Sequence, residues 1–210
     1  MHGLLAMYIA LMHANVPLAS ALDLRQRPLP RVAFQGIAGA FSEQAVRRYW
    51  SHGATPVPSE TFALALQQLR DGTADFAVIP VENVIAGPVE AAVAALKAQS
   101  SVRQCGELQL EIHLCLMAVP GATLRGIRAV RSHQMALAQS QRFFAQHPWL
   151  LPTLDADTAG AARDVAHQGD ATVAAIASET AAHIYRLDIL ARGVQDVPDN
   201  WTRFVVLAEP

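Results

Sequence analysis

The sequence predicts an α/β fold of two lobes, with mostly parallel sheets flanked by helices and a cleft between the lobes. Three observations predict it. From Arg31 onward, short apolar runs alternate with segments of helical spacing, the pattern of strand–helix–strand units. The stretch Val102 to Val119 alternates for longer than an ordinary strand, as a crossing between lobes would. A last apolar run, Thr202 to Leu207, returns after the second group of elements.

Residues 1–29 read as an amino-terminal extension. Leu4 to Met12 is apolar and Ala19-Ser20-Ala21 is similar to a cleavage site. However, no lysine or arginine precedes the apolar run, and the run is too short to span a bilayer. Arg25 to Pro30 is a polar, proline-bearing boundary. Val32-Ala33-Phe34 is then a buried first strand, Phe41 to Trp50 a helix, and Thr55 to Pro58 an extended edge piece. Phe62, Leu66 and Leu69 recur at helical spacing, and Asp71-Gly72 ends that helix. Phe76 to Val81 is a second buried strand, and Pro88 opens a helix through Lys97. On the long alternating stretch, Leu108, Leu110, Ile112, Leu114 and Leu116 share one face. Ile127 to Ser132 reads as a strand and Met135 to Gln146 as one helix, and the alternation continues to the last strand. The expected division is residues 30–106 with 193–210 as the first lobe and 107–192 as the second.

Composition narrows the function. The chain has 210 residues, 52% of them hydrophobic and 16% charged, enough apolar material for a sizeable core. Its net charge of −2, with both signs scattered and no basic stripe, argues against a nucleic-acid partner. No apolar run is long enough to span a membrane. The two cysteines, Cys105 and Cys115, lie outside any CxxC motif and read as apolar strand residues in a reducing compartment. The eight histidines show no HxxxH or HExxH spacing, so no metal site is expected.

Ligands of open α/β sheets bind beyond the carboxyl ends of strands. Gly36 to Ser42 follows the first strand and opens a helix, where the backbone can approach an anion. A plain capped turn has the same pattern. Val81-Glu82-Asn83 ends a strand with a side chain that both donates and accepts. Ser132 and His133 are adjacent, which suits neither a shared target atom nor a nucleophile elbow. The most informative stretch is Asp196 to Phe204, with Asn200 to Phe204 as its active part. Thr202 supplies a hydroxyl, Arg203 a planar cation for a carboxylate, and Phe204 an apolar wall.

Asn200-Trp201-Thr202-Arg203-Phe204 resembles the Asn-x-Thr-Arg-Phe signature of prephenate dehydratases. The resemblance runs from Arg31 to Leu207. It includes Gly36-x-x-Gly39-x-Phe41-Ser42, Pro80-x-Glu82-Asn83 with Gly87, and Glu107 to Leu116. It also includes Ser132-His133 with Ala136 to Gln139, Thr158-Ala159, and Ala175 to Glu179 with Tyr185.

The resemblance implies a two-lobed fold like that of type II periplasmic binding proteins, with substrate in the cleft. It implies a cofactor-free, cytoplasmic lyase of phenylalanine biosynthesis that converts prephenate to phenylpyruvate, water and carbon dioxide. A homodimer is expected. The implied catalytic residue is Thr202. The implied substrate contacts are Arg203, Phe204, Asn83, Glu82, Gly39, Ala40, Phe41, Ser42, Ser132, Leu137, Thr158 and Ala159. Main-chain N–H groups near Gly39 are expected to help bind the retained carboxylate. Three positions depart from the family pattern: Ala40 and Val84 replace hydroxyl residues, and Gln134-Met135 replaces a Pro-Gln pair. Arogenate dehydratase, or a non-catalytic small-anion-binding module of the same fold, are the alternatives. The family's phenylalanine-binding regulatory domain has no counterpart before Pro210, so no feedback through it is expected.

Overall fold

The structure is a computed structural model, and it describes residues 28–99 and 101–210. Most of the expected amino-terminal extension lies outside the described residues. Among the described residues, no helix is long and apolar enough to cross a membrane.

The first sheet is built from β1 (Arg31–Gln35), β2 (Thr55–Ser59), β3 (Phe76–Asn83), β4 (Gly87–Pro88), β5 (Arg103–Glu111) and β11 (Trp201–Ala208). Its order is β2-β1-β3-β11-β5, with β4 paired to β3. The second sheet holds β6 (Cys115–Ala118), β7 (Ala129–His133), β8 (Leu151–Asp155), β9 (Val173–Ala177) and β10 (Asp188–Arg192), in the order β10-β6-β9-β7-β8. The helices are α1 (Phe41–Tyr49), α2 (Phe62–Arg70), α3 (Glu90–Lys97), α4 (Gln134–Ala138), α5 (Gln141–Gln146), α6 (Thr158–Gln168) and α7 (Glu179–Tyr185).

Both sheets are mixed rather than mostly parallel. Parallel pairing is confined to β2-β1-β3 and β9-β7-β8. The chain crosses between sheets twice, and each crossing brings in antiparallel strands. β11 runs antiparallel between β3 and β5, and β6 runs antiparallel between β9 and β10.

The single long strand expected over Val102 to Val119 is two strands. The break falls at Ile112–Leu114, where backbone donors turn to the other crossing segment. Ile112 donates to the Asn200 carbonyl at 2.8 Å, and the Leu114 N–H donates to Gln195 Oε1 at 2.9 Å. The one-face reading survives the break, because Leu110, Ile112, Leu114 and Leu116 are all buried in one cluster. The expected boundary at residue 107 falls inside β5, which pairs with β11 along its whole length.

The helix expected over Met135 to Gln146 is also two. Ser140 is fully buried, and its hydroxyl donates to the Ala136 carbonyl at 2.9 Å, a bond that competes with the helical ladder. Asp196 then accepts from the N–H groups of Gln141 and Arg142 and caps α5 from outside. Pro88 pairs with Glu82 as a strand residue, so α3 begins only at Glu90.

Side-chain alternation along β11 sorts the core. Phe204, Val206 and Ala208 pack with Val32, Phe34 and Val46. Val205 and Leu207 face the other way, onto Leu66, Leu69 and Ala92 of α2 and α3. Both cysteines are free strand residues, and burial pushes both thiols up from their ordinary pKa.

Candidate active site

β1 and β3 are parallel, and β11 begins beside the carboxyl end of β3. The turn after β1, Asn83 and Thr202 therefore share one edge of the first sheet, where ligands of such sheets bind. Thr202 is paired with Asn83 on one side and Leu110 on the other. It is nearly buried, at 8% exposure.

Asn83 is fixed from both ends of its amide. Its Oδ1 accepts the N–H groups of Ile85 at 3.1 Å and Ala86 at 2.9 Å. That settles which end is nitrogen. Its Nδ2 faces Asn200 Oδ1 at 2.9 Å, the Trp201 carbonyl at 3.1 Å and Thr202 Oγ1 at 3.0 Å. An amide nitrogen only donates, so the Thr202 oxygen accepts. Among the described residues no acceptor takes the Thr202 hydroxyl's own hydrogen. Thr202 is thus a polarised hydroxyl whose proton is free for a ligand.

Asn200, 1% exposed, extends this group to the second lobe by donating to Gln139 Oε1 at 3.1 Å. The resemblance includes Gln139 within Ala136 to Gln139 but gives it no partner; the structure brings it to Asn200, 61 positions away.

The Gly36–Ser42 turn is occupied differently from the expectation. The Gly39 N–H does not await a substrate carboxylate; it donates to the buried carboxylate of Glu43 at 2.7 Å. Arg47 Nε holds the other oxygen of Glu43 at 2.9 Å. The Gly39 carbonyl accepts from Ser178 Oγ at 2.6 Å, and the Ala38 carbonyl from the Tyr185 hydroxyl at 2.7 Å. The turn therefore clasps the second lobe. Burial pushes the Tyr185 phenol above its ordinary pKa, so it stays a donor. Glu43 had a local signal, its helical spacing to Arg47. Ala40 sits at the N-cap of α1 and gives no side-chain cap. Ser42 is buried at 7% exposure, and its hydroxyl has no partner among the described residues. Phe41 is half-buried against the core.

Several other expected contacts have partners of their own or are buried in the core. Arg203 and Glu82 pair with each other, Nη2 to Oε2 at 3.1 Å. Alternation along β11 puts Arg203 on the face of Val205 and Leu207, opposite Thr202, and Glu82 of β3 pairs with it across the strands. Phe204 is core, 1% exposed, because β11 is an interior strand. Ser132 is fully buried and donates to the Ile176 carbonyl at 2.6 Å. Leu137 is core and also lines a groove with Phe144 and Leu154. Thr158 opens α6 just after its cap Asp157, and Ala159 is buried behind it. Val84 and Met135 are exposed surface residues. An open cavity of about 1170 Å³ lies between Arg47 and α7 and includes none of the Thr202 group.

The family model for prephenate dehydratase matches residues 32–210. The chain belongs to the prephenate dehydratase family. It is 38% identical over 178 residues to arogenate dehydratase/prephenate dehydratase 2 of Arabidopsis thaliana, covering 85% of this chain and 46% of that protein. The chain spans about half the length of the relatives it matches. The prephenate dehydratase of Arthrobacter aurescens, solved in complex with L-Phe, is 30% identical with a TM-score of 0.79, covering 86% of this chain and 60% of that one. A structure titled GqqA, a quorum-quenching acylase, is 36% identical with a TM-score of 0.79, covering 86% of this chain and 64% of that one. Of the segments that resemble the family signatures, Pro80–Asn83 and Asn200–Phe204 meet where Asn83 pairs with Thr202.

Proposed function

We propose that the chain catalyses the decarboxylating dehydration of prephenate to phenylpyruvate. Prephenate carries two carboxylates and a ring hydroxyl. Breaking the ring–carboxylate bond leaves its electron pair to complete the aromatic ring, carbon dioxide departs, and the ring hydroxyl leaves with one proton as water. The difficult event is the departure of hydroxide, which needs a donor where negative charge develops. The observation that carries the reading is the free hydrogen of Thr202, whose oxygen is loaded by Asn83. A threonine hydroxyl is too weak an acid to give up its proton outright. Thr202 donates a hydrogen bond to the leaving oxygen, or relays a proton from solvent.

The retained carboxylate fits the amino terminus of α1, which lacks a side-chain cap and offers the unpartnered Ser42 hydroxyl. The homodimer expected from the sequence is supported by the exposed Leu151 and Leu154 of edge strand β8, and sedimentation velocity reads it directly.

Arogenate, with an ammonium in place of the keto oxygen, is the second reading; the Arabidopsis relative bears both names. The acylase named for one similar structure would need a nucleophile with a base beside it. Thr202 instead faces an amide donor that accepts no proton.

The test is turnover of prephenate and of arogenate by purified protein, with and without Thr202→Ala. Wild-type turnover of prephenate, reduced roughly tenfold or more by Thr202→Ala, is the expected result. Tight binding without turnover would leave a binding module, and equal rates in both proteins would remove Thr202 from the chemistry.

A further inference from the structure

We infer, on the dehydratase reading above, that Ser178 and Tyr185 of the second lobe are positioning residues for the carboxylate that the substrate retains. Their hydroxyls hold the turn that delivers the amino terminus of α1.

Two successive peptide planes lie in that turn, and each is held at both ends. The plane from Ala38 to Gly39 has its carbonyl bonded to the Tyr185 hydroxyl at 2.7 Å and its N–H bonded to the buried Glu43 carboxylate at 2.7 Å. The plane from Gly39 to Ala40 has its carbonyl bonded to Ser178 Oγ at 2.6 Å and its N–H bonded to the Ile37 carbonyl at 3.0 Å. A peptide unit is rigid, so holding its carbonyl and its N–H fixes the plane. The first lobe supplies both acceptors and the second lobe both hydroxyl donors. α1 begins at the next residue, Phe41. The N–H groups of Phe41, Ser42 and Glu43 have no partner among the described residues, as in any first helical turn without a side-chain cap. With the buried, unpartnered Ser42 hydroxyl they are the donors open to a carboxylate, and the two planes before them set where they point.

Ser178 serves both lobes with one hydroxyl. It is fully buried, accepts from the Ala181 N–H at 3.0 Å to cap α7, and gives its own hydrogen to Gly39. No water replaces it readily at that depth. Tyr185 is the last residue of α7, so the helix grips the turn from both of its ends. The retained carboxylate carries the same charge in the bound substrate and in the transition state. Donors aimed at it therefore bind both states alike, and their loss raises KM while leaving kcat. Thr202 is the opposite case, since its hydrogen is needed only as the hydroxyl departs.

The experiment measures steady-state kinetics on prephenate, competitive inhibition by phenylpyruvate and thermal melting. It compares wild type, Ser178→Ala, Ser178→Thr, Tyr185→Phe and Thr202→Ala. Phenylpyruvate keeps the retained carboxylate and lacks the ring hydroxyl and the second carboxylate, so its inhibition constant reads the α1 terminus apart from the chemistry. In Ser178→Ala and Tyr185→Phe, KM and the inhibition constant should each rise about fivefold or more, with kcat within about twofold of wild type. Ser178→Thr keeps the hydroxyl and the cap and should hold both constants within about twofold. Thr202→Ala should show the reverse, a lower kcat with an inhibition constant within about twofold of wild type. Unchanged KM and inhibition constants in Ser178→Ala and Tyr185→Phe, whatever their kcat, would overturn the positioning role and leave the dehydratase reading intact. So would melting of both variants below the assay temperature. If wild type binds prephenate without turning it over, the dehydratase reading falls, and calorimetric dissociation constants of prephenate for the same variants decide the positioning role alone. If wild type neither binds nor converts prephenate, both fall.

Discussion

Asn83 and Thr202, 119 positions apart in sequence, are paired across β3 and β11 with the amide nitrogen 3.0 Å from the hydroxyl oxygen. The bond makes Thr202 an acceptor toward Asn83 and leaves its own hydrogen without a partner among the described residues. Asn83→Asp inverts this. The carboxylate still accepts from Ile85 and Ala86, so the turn is kept. It now draws the Thr202 proton toward itself and faces Asn200 Oδ1 as a second acceptor. The expected outcome is a kcat reduced roughly a hundredfold, the scale of losing one preorganised donor. Steady-state kinetics beside a thermal melt check this: a fall in kcat no greater than the fall in folded fraction would show Asn83 to be structural.

The edge that carries this pair was legible in the sequence. Val81-Glu82-Asn83 and Thr202 read as a strand end and a strand start, and the signature resemblance joined them. Arg203 was expected beside Thr202 at the substrate, although neighbours in a strand point to opposite faces. Thr202 and Arg203 thus do not stand side by side. Gln139 stood in a motif that matched, but its bond to Asn200 was not legible, because it exists only after residues 139 and 200 meet. The break at Ile112–Leu114 was hidden for a different reason. Period-two alternation from Leu110 to Leu116 is the same whether or not hydrogen bonding continues. Only the competing acceptors Asn200 and Gln195 stop it. The split of α4 from α5 likewise depends on Asp196, 55 positions beyond Gln141.

Gly39 has φ +88, and a Cβ there would lie 2.8 Å from the Ala181 Cα and 2.9 Å from its Cβ. Gly39→Ala meets backbone from the other lobe as well as an unfavourable torsion. A loss of about 1–3 kcal/mol in stability is expected, with activity falling as the turn leaves α7. Ala181→Gly should restore little, since the Cα clash remains. Urea unfolding of the single and double variants tests this; full recovery in the double would place the cost in the Ala181 methyl alone.

Gly106 sits opposite Val206 in the β5–β11 pair, beneath the Tyr49 ring. A Cβ there would lie 2.2 Å from the Tyr49 hydroxyl oxygen and 3.0 Å from Cζ. Gly106→Ala must push the ring aside, at about 1–3 kcal/mol. Tyr49→Phe removes the nearest atom, so the double variant should be more stable than Gly106→Ala alone. Chemical denaturation of the four proteins in the cycle gives the coupling; strict additivity would mean the strand, rather than the ring, yields.

Tyr185 ties the two lobes by donating to the Ala38 carbonyl, and burial raises its phenol above the ordinary value. A raised folded pKa means that the folded chain keeps this proton after the unfolded chain has begun to lose it. The contribution is therefore complete below the unfolded tyrosine value of about 10. It is lost as pH rises from there through the folded pKa. Burial of Tyr49 raises its phenol too, so wild type alone would mix two groups. The difference between wild type and Tyr185→Phe isolates one. That difference in unfolding free energy should be constant from about pH 7 to about pH 9 and shrink above about pH 10. Urea unfolding across this range measures it. A difference that stays flat to about pH 11, or grows, would mean that the Tyr185 hydroxyl titrates alike in the folded and unfolded chain, or more readily in the folded one.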